Sequence, residues 1–197
     1  FDDKFKTSVG TVEDALLEDI SLIGFTNAND GIKELLVAYQ EYDAVLLDGL
    51  FYENAEQAGT DIDDSAFGQV ARALSDLKAK GIFMPWFIYS GQKKFRKGTS
   101  PFIKLFKDES FAKGKIFDKN KDEDFKELCV EIKRAVVNKP ENQIRLSHPE
   151  VFKIFKNGHL DRSSEKLLIE LLLKVSNTQD LDQPKNEFTK LRKIIEK

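Results

Sequence analysis

Hydrophobic residues in the first part of the chain follow two patterns, a helical spacing and short continuous runs. Apolar residues three to four positions apart predict amphipathic helices over residues 11–20, 30–39, 65–80 and 122–137. Between them lie short apolar runs that we interpret as strands, at 21–25, 44–48, 83–89 and 115–119. Strands that alternate with helices in this way predict an α/β fold, with a parallel sheet covered by helices on both faces.

Two helix boundaries carry their own signals. Asn29 or Asp30 is a suitable cap for the helix over 30–39. Ser100-Pro101 has the composition of a helix start, which predicts a further helix through Phe111. The polar, acidic segment 49–64 has no periodicity, and we expect it to form a long solvated loop.

After residue 138 the sequence shows helical periodicity only, with helices expected at 148–156, 163–176 and 182–197. We therefore divide the chain into a domain at 1–138, a linker at 139–146 and a helical extension at 147–197. About fifty residues bury little core alone, so we expect this extension to pack against a partner, the first domain or further chain.

Composition excludes several classes of protein. The chain has 33% charged and 41% hydrophobic residues with a net charge of -3, which indicates a folded, soluble protein and gives no electrostatic case for nucleic-acid binding. From Glu141 onward eleven basic residues face nine acidic ones, so DNA is an unlikely ligand of the extension. A lone cysteine, Cys129, and the lack of a signal peptide or long apolar run indicate a cytoplasmic protein.

Three carboxylates stand where a parallel sheet builds its sites. Asp48 closes the apolar run 44–48, and Asp2-Asp3 open the chain, which begins at Phe1 without a methionine. We expect missing strand residues before Phe1, so that the acidic pair follows a first strand. Three carboxylates meeting at the carboxyl edge of a sheet form an oxygen pocket suited to Mg²⁺, and one of them is a candidate nucleophile toward phosphorus.

The strand ends carry an ordered set of polar residues. Asp2-Asp3, Asp48, Ser90-Gly91 and Lys119 follow the first, third, fourth and fifth predicted strands. In a doubly wound, flavodoxin-like sheet with five parallel strands in the order 2-1-3-4-5, those four strand ends meet at one crevice. Each residue alone is ordinary: a polar turn, a helix cap, a strand exit and a surface lysine. Their joint order is what indicates a site.

At these residues the chain resembles a response-regulator receiver domain. The matching segments are Phe-Asp-Asp at 1–3, Asp-Ala-Val-Leu-Leu-Asp-Gly at 43–49, Ile-Tyr-Ser-Gly at 88–91 and Ile-Phe-Asp-Lys at 116–119. The resemblance covers residues 1–138. It implies a phosphoacceptor protein of a two-component phosphorelay, phosphorylated by a sensor histidine kinase or a phosphotransfer protein.

The resemblance also implies a role for each site residue. Asp48 would accept the phosphoryl group, and Mg²⁺ would be held by the side chains of Asp2, Asp3 and Asp48 with the backbone carbonyl of Leu50. Lys119 would pair with one phosphoryl oxygen, and Ser90 would move to hydrogen-bond another. The apolar face of Leu167, Leu168, Leu171, Leu172 and Val175 then indicates an output helix that binds a protein partner.

Departures from the family pattern leave two alternatives open. Proline is common shortly after the acceptor and after the lysine, where this chain has Gly49-Leu50 and Asn120. The usual switch aromatic would lie at Ile116, and Phe117 stands one step later. A degenerate, receiver-like scaffold without phosphorylation is therefore the first alternative. The second is a Mg²⁺-dependent phosphohydrolase, against which Leu50 stands where its general acid would be.

Overall fold

The computed structural model describes residues 1–57, 64–93, 104, 106, 109–176 and 192. The chain divides into two compact units, Phe1–Val136 and Val137–Lys197. The described residues form three strands: β1 (Val45–Leu47), β2 (Trp86–Tyr89) and β3 (Ile116–Phe117). They also form seven helices: α1 (Val9–Leu17), α2 (Ala28–Ala38), α3 (Ser65–Ala79), α4 (Asp122–Val137), α5 (Pro140–Ser147), α6 (Pro149–Lys156) and α7 (Arg162–Ser176).

The sheet of the first unit is parallel and has the order β1-β2-β3. Leu47 pairs with Ile88, which pairs in turn with Ile116. The predicted α/β class with a parallel sheet is confirmed, with three strands among the described residues. The strand expected at 21–25 is not formed. Ile23 is 63% exposed, so this run lacks the two-sided burial of a central parallel strand.

Phe1 lies beside β1 through backbone hydrogen bonds. Its amino nitrogen donates to the carbonyl of Leu46 at 2.7 Å, and the amide of Asp48 donates to the carbonyl of Phe1 at 2.9 Å. This pair of bonds has the offset of parallel strands. On the other side, the amide of Asp2 donates to the carbonyl of Phe25 at 3.0 Å. The start of the chain is thus held between β1 and Phe25.

Side chains of the sheet alternate between two apolar clusters. Trp86 and Ile88 of β2 face the first cluster, which includes residues of α2 and α3. Phe87 and Tyr89 face the second cluster, which includes Leu128, Ile132 and Ala135 of α4. We call this second cluster the α4 cluster. All four residues of β2 are buried, which is why the strand shows as a continuous apolar run in the sequence.

The loop after β1 is anchored to the start of α2. Asn27 caps this helix, because its side-chain oxygen accepts from the amide of Asp30 at 2.9 Å, so the predicted cap at Asn29 or Asp30 was wrong by two to three positions. The amides of Ala28 and Asn29, in the first turn of α2, donate to the carbonyls of Tyr52 and Glu53, at 2.8 and 2.9 Å. The loop expected at 49–64 therefore has ordered backbone contacts over its first part, and residues 58–63 lie outside the described residues.

The other helices differ from prediction mainly at their ends. α3 and α4 form where the periodicity placed them. α1 begins at Val9 and ends at Leu17, short of the expected end at residue 20, because Asp19 has a left-handed backbone (φ 57°) that stops the helix. The expected helix at 182–197 falls outside the described residues except at residue 192, and that at 100–111 lies largely outside them.

Three helices form the described part of the second unit. Phe152, Ile169 and Leu171 are buried there. Arg145 and Glu165 form an ion pair of 2.9 Å that joins α5 to α7. Residues 139–146, which the sequence analysis assigned to a linker, mostly form α5, since Pro140 in the first helical turn needs no amide partner. No helix of the described residues combines the length and apolar character that a membrane crossing requires.

Two helical glycines provide a matched test of the packing around Phe1. A Cβ at Gly31 of α2 would overlap the ring of Phe1, whereas one at Gly10 of α1 has nothing within 4 Å. We expect Gly31→Ala to lower the free energy of unfolding by about 1–3 kcal/mol through overpacking. Gly10→Ala should raise it by up to about 1 kcal/mol, because alanine is the better helix former.

Urea denaturation of both variants measures these changes. A Gly31→Ala protein as stable as Gly10→Ala would show that the ring of Phe1 is not packed on α2 as described.

Candidate functional site

Polar residues gather at the carboxyl edge of the parallel sheet. Asp48 follows β1, Ser90 follows β2, and Lys119 lies two residues beyond β3. Asp2 and Asp3 follow Phe1, which is hydrogen-bonded to β1. Because parallel strands end at a common edge, these residues come from distant parts of the sequence to one place.

Three carboxylates form the centre of this site, which we call the carboxylate cluster: Asp2, Asp3 and Asp48. One oxygen of each lies within 4.8 Å of the others. Asp48 is only 9% exposed, and its Oδ1 accepts a hydrogen bond of 2.5 Å from the amide of Gly49. Oδ1 of Asp2 accepts from the amide of Lys4 at 2.9 Å. The cluster is thus fixed by backbone amides on two of its members.

Lys119 bridges two of these carboxylates. Its Nζ lies 2.5 Å from Oδ2 of Asp2 and 2.7 Å from Oδ2 of Asp48. Burial disfavours the ammonium form, but the charges and hydrogen bonds of Asp48 and Asp2 outweigh burial and raise the pKa of Lys119 above its usual value. The structure therefore brings together four of the predicted site residues.

Asp3 is the member of the carboxylate cluster with a raised pKa. Burial and the neighbouring charges of Asp2 and Asp48 raise the pKa of Asp3 above that of a free aspartate. A carboxylate with a raised pKa holds its proton more tightly. Protons and cations therefore compete for Asp3 as the pH falls.

Ser90 and Leu50 lie on loops at the same edge of the sheet. Ser90 is fully buried, its amide donates to the carbonyl of Phe117 at 2.9 Å, and its hydroxyl oxygen accepts from the amide of Gln92 at 3.2 Å. Leu50 is half-buried and packs against the first apolar cluster. The phosphoryl contact of Ser90 and the metal contact of the Leu50 carbonyl stay predictions.

The two candidates for a switch aromatic are both packed. Ile116 is half-buried against the first cluster. Phe117 is 0% exposed, its ring pairs with that of Phe87, and Nζ of Lys115 lies 4.9 Å from its centre. Neither residue has the free surface position that an outward rotation needs.

Three residues near Lys119 have contacts that we did not predict. The Nζ of Lys119 lies 5.6 Å from the ring centre of Tyr89. Oδ1 of the buried Asp118 accepts from both the backbone and the side-chain nitrogens of Asn120, at 3.0 and 2.9 Å. The Asp-Lys-Asn string is itself a turn signal, since aspartate accepts from the amide two residues on. Tyr89 gives no such local signal, because its partner is thirty residues away.

The residues present fit a divalent cation with oxygen ligands. Mg²⁺ in proteins takes carboxylates and waters, and three carboxylate oxygens here lie within reach of one another. Three ionised carboxylates against one ammonium leave an excess of two negative charges. A cation at this site would relieve repulsion that Lys119 only partly offsets.

Comparison with known proteins adds no further assignment. The chain matches no protein-family model, no curated protein and no solved structure. The case for a function therefore depends on the residues and distances of the site itself.

The raised pKa of Asp3 predicts opposite effects of one substitution on stability and on metal binding. A native pKa above the unfolded value means that the native state binds the proton more tightly, so deprotonated Asp3 destabilises the fold at pH above that raised pKa. Asp3→Asn should therefore raise the melting temperature of the metal-free protein at pH 7 and weaken Mg²⁺ binding. In the native protein, Mg²⁺ affinity should fall as the pH is lowered toward the pKa of Asp3.

Calorimetry with and without Mg²⁺ measures both effects, with Asp76→Asn on the exposed side of α3 as the matched control. Equal melting temperatures for Asp3→Asn and Asp76→Asn at pH 7 would contradict the expected destabilisation of the fold by the Asp3 carboxylate.

Proposed function

We propose that this chain is a phosphoacceptor response regulator of a two-component phosphorelay. In it, Asp48 accepts a phosphoryl group in a Mg²⁺-dependent reaction. The observation that carries the proposal is the bridge of Lys119 between Asp2 and Asp48 beside Asp3, at the carboxyl edge of a parallel sheet. A lysine within reach of an acidic pocket is the arrangement that phosphoryl transfer to a carboxylate needs, because three phosphoryl oxygens bring negative charge to an already negative site.

Backbone contacts support the finer fold that goes with this function, a five-stranded sheet with the order 2-1-3-4-5. Phe1 is hydrogen-bonded to β1 in parallel fashion, and Asp2 is hydrogen-bonded to Phe25. We infer that Phe1 and Phe25 mark the first and second strands in that order, with β1, β2 and β3 as the third, fourth and fifth. Asp2 and Asp3 then follow the first strand and Asp48 follows the third, and ligands bind between these two strands in sheets of this order.

The chain's own residues position the reaction. A carboxylate oxygen of Asp48 forms the bond to phosphorus as the bond from phosphorus to the donor breaks, and the donor leaves with that electron pair. Lys119, already 2.7 Å from Asp48, moves its ammonium to a phosphoryl oxygen. Asp2, Asp3, Asp48 and the carbonyl of Leu50 would hold Mg²⁺, which would supply positive charge against the phosphoryl oxygens when bound. The anchored loop 49–57 keeps Asp48 and Leu50 in register during this exchange.

Ser90 couples the reaction to the rest of the domain. Its hydroxyl now accepts from the amide of Gln92, and it donates to a phosphoryl oxygen when it turns toward Asp48. The signal passes to the helical C-terminal unit, which we infer binds a protein partner rather than DNA. The phosphodonor is a sensor histidine kinase or a phosphotransfer protein, and the compartment is the cytoplasm.

One observation favours a second candidate, a receiver-like scaffold that is not phosphorylated. Phe117 is fully buried and Ile116 is half-buried, so the usual aromatic rotation has no starting residue. A scaffold needs no such rotation. The two functions differ in their response to Mg²⁺ with beryllofluoride, which mimics a phosphoryl group. In the NMR spectrum, the backbone amide signals near Asp48 and Ser90 should shift only if the protein can accept a phosphoryl group.

The acceptor role of Asp48 predicts a single phosphoryl adduct. Incubation with acetyl phosphate and Mg²⁺ should add one phosphoryl group to the native protein, detected by intact-mass spectrometry. Asp48→Asn should abolish the adduct because an amide is not a nucleophile at neutral pH. Asp43→Asn, an exposed aspartate just before β1, is the matched control and should leave the adduct unchanged.

An adduct that persists in Asp48→Asn removes Asp48 from this role. Continuous release of phosphate from a phosphomonoester, many times per protein molecule, would instead favour the phosphohydrolase.

A further inference from the structure

The position of the Lys119 ammonium depends on more than its two carboxylate partners. The backbone of Lys119 is fixed by the turn that Asp118 and Asn120 form around it, with hydrogen bonds of 2.9 to 3.0 Å. Asp118 is itself held, because its amide donates to Oδ2 of Asp124 at 2.8 Å. With the backbone fixed, the long side chain still has several rotatable bonds. The ion pairs with Asp2 and Asp48 hold the ammonium at its end, and a further contact would favour the conformation that reaches them.

Tyr89 supplies that contact. The alternation along β2 and β3 places Tyr89 and Phe117 on the face of the α4 cluster, and Lys119 lies in the turn that follows β3. The Lys119 ammonium then lies 5.6 Å from the centre of the Tyr89 ring, within the range in which a cation is attracted to an aromatic face.

The Tyr89 ring is itself well fixed. It is only 9% exposed and pairs with the ring of Phe125 on α4 at 6.0 Å between centres. Burial raises the pKa of the Tyr89 phenol to about 12, so the ring carries no charge at working pH. A fixed, neutral ring at the end of a buried strand is a suitable platform for a cation.

We propose that Tyr89 is a positioning residue for the site: its ring holds the Lys119 ammonium toward Asp2 and Asp48, where it is ready to bind a phosphoryl oxygen. This inference rests on the proposed function for its purpose, but the placement of Lys119 is measurable without it. Loss of the Tyr89 ring should therefore act first on Lys119.

Two substitutions separate the ring from the hydroxyl. Tyr89→Phe keeps the ring, and Tyr89→Leu removes it while keeping an apolar side chain. Phe111→Leu is the matched control, since Phe111 packs on Phe87 in the same α4 cluster. The first measurement is the rate at which an amine-acetylating reagent labels Lys119 at fixed pH, followed by peptide mass spectrometry. The second is the rate of Asp48 phosphorylation by acetyl phosphate with saturating Mg²⁺.

Loss of the ring should change both rates by a similar factor and in opposite directions. Tyr89→Leu should raise the labelling rate of Lys119 and lower the phosphorylation rate, each by roughly 3- to 30-fold, the range expected of a cation–aromatic contact. Tyr89→Phe and Phe111→Leu should match the native protein in both. Unchanged labelling in Tyr89→Leu overturns the proposal. Equal changes in Tyr89→Leu and Phe111→Leu also overturn it, because they would show a general effect of core packing.

The two measurements distinguish failure of the positioning role of Tyr89 from failure of the proposed function. If the native protein takes up no phosphoryl group but labelling of Lys119 responds to Tyr89→Leu as expected, the proposed function fails and the positioning of Lys119 by Tyr89 holds. If Tyr89→Leu does not fold, Tyr89→Met, whose unbranched side chain adapts more easily to the space left by the ring, provides the same test with the same expected direction.

Discussion

The site depends on one balance of charge: the ammonium of Lys119 against the crowded carboxylates of Asp2 and Asp48. Two unit charges 4 to 5 Å apart repel by roughly 3–4 kcal/mol at an effective dielectric constant of 20. That is a large part of the net stability of an ordinary domain, which is about 5–15 kcal/mol. Lys119 offsets the repulsion between Asp2 and Asp48, and burial together with the charges of these two residues raises the pKa of Asp3. Such crowding is costly to keep, which favours a functional over a purely structural cluster.

The backbone, rather than the side chains, holds the carboxylates against this repulsion. Asp48 is bonded through its amide to Phe1, and Asp2 through its amide to Phe25, so both residues are tied to neighbouring chain segments. The loop after Asp48 is tied in turn to the free amides of α2. A side-chain change in the cluster therefore alters its charge without releasing its geometry. This separation is what allows a neutral variant such as Asp3→Asn to be more stable and yet a poorer cation ligand.

The sequence predicted those parts of the fold and site that local pattern controls. α4 is correct at both ends, because its apolar spacing and its first-turn acidic residues agree. Asp48 and Lys119 were identified because each follows a predicted strand, and Asp2 and Asp3 because a first strand was expected to end at Phe1. Residues 21–25 look equally apolar, yet Ile23 faces solvent, and whether a run is buried depends on its neighbours in space. The contact between Tyr89 and Lys119 was missed for the same reason, since it requires the register of β2 with β3.

Besides Ser90, a residue that responds to movement of Lys119 could carry the output of the proposed site. Phe117 and Ile116 are packed in the two apolar clusters, so an aromatic rotation of the usual kind would first have to open a core. Tyr89 has a contact on each side: the Lys119 ammonium and the Phe125 ring of α4. If the ammonium turned to a phosphoryl oxygen, as the proposed function requires, the attraction between it and the Tyr89 ring would change, and α4 is the next element that this ring contacts. A response that passed through α4 would need no exposed aromatic residue at Ile116 or Phe117.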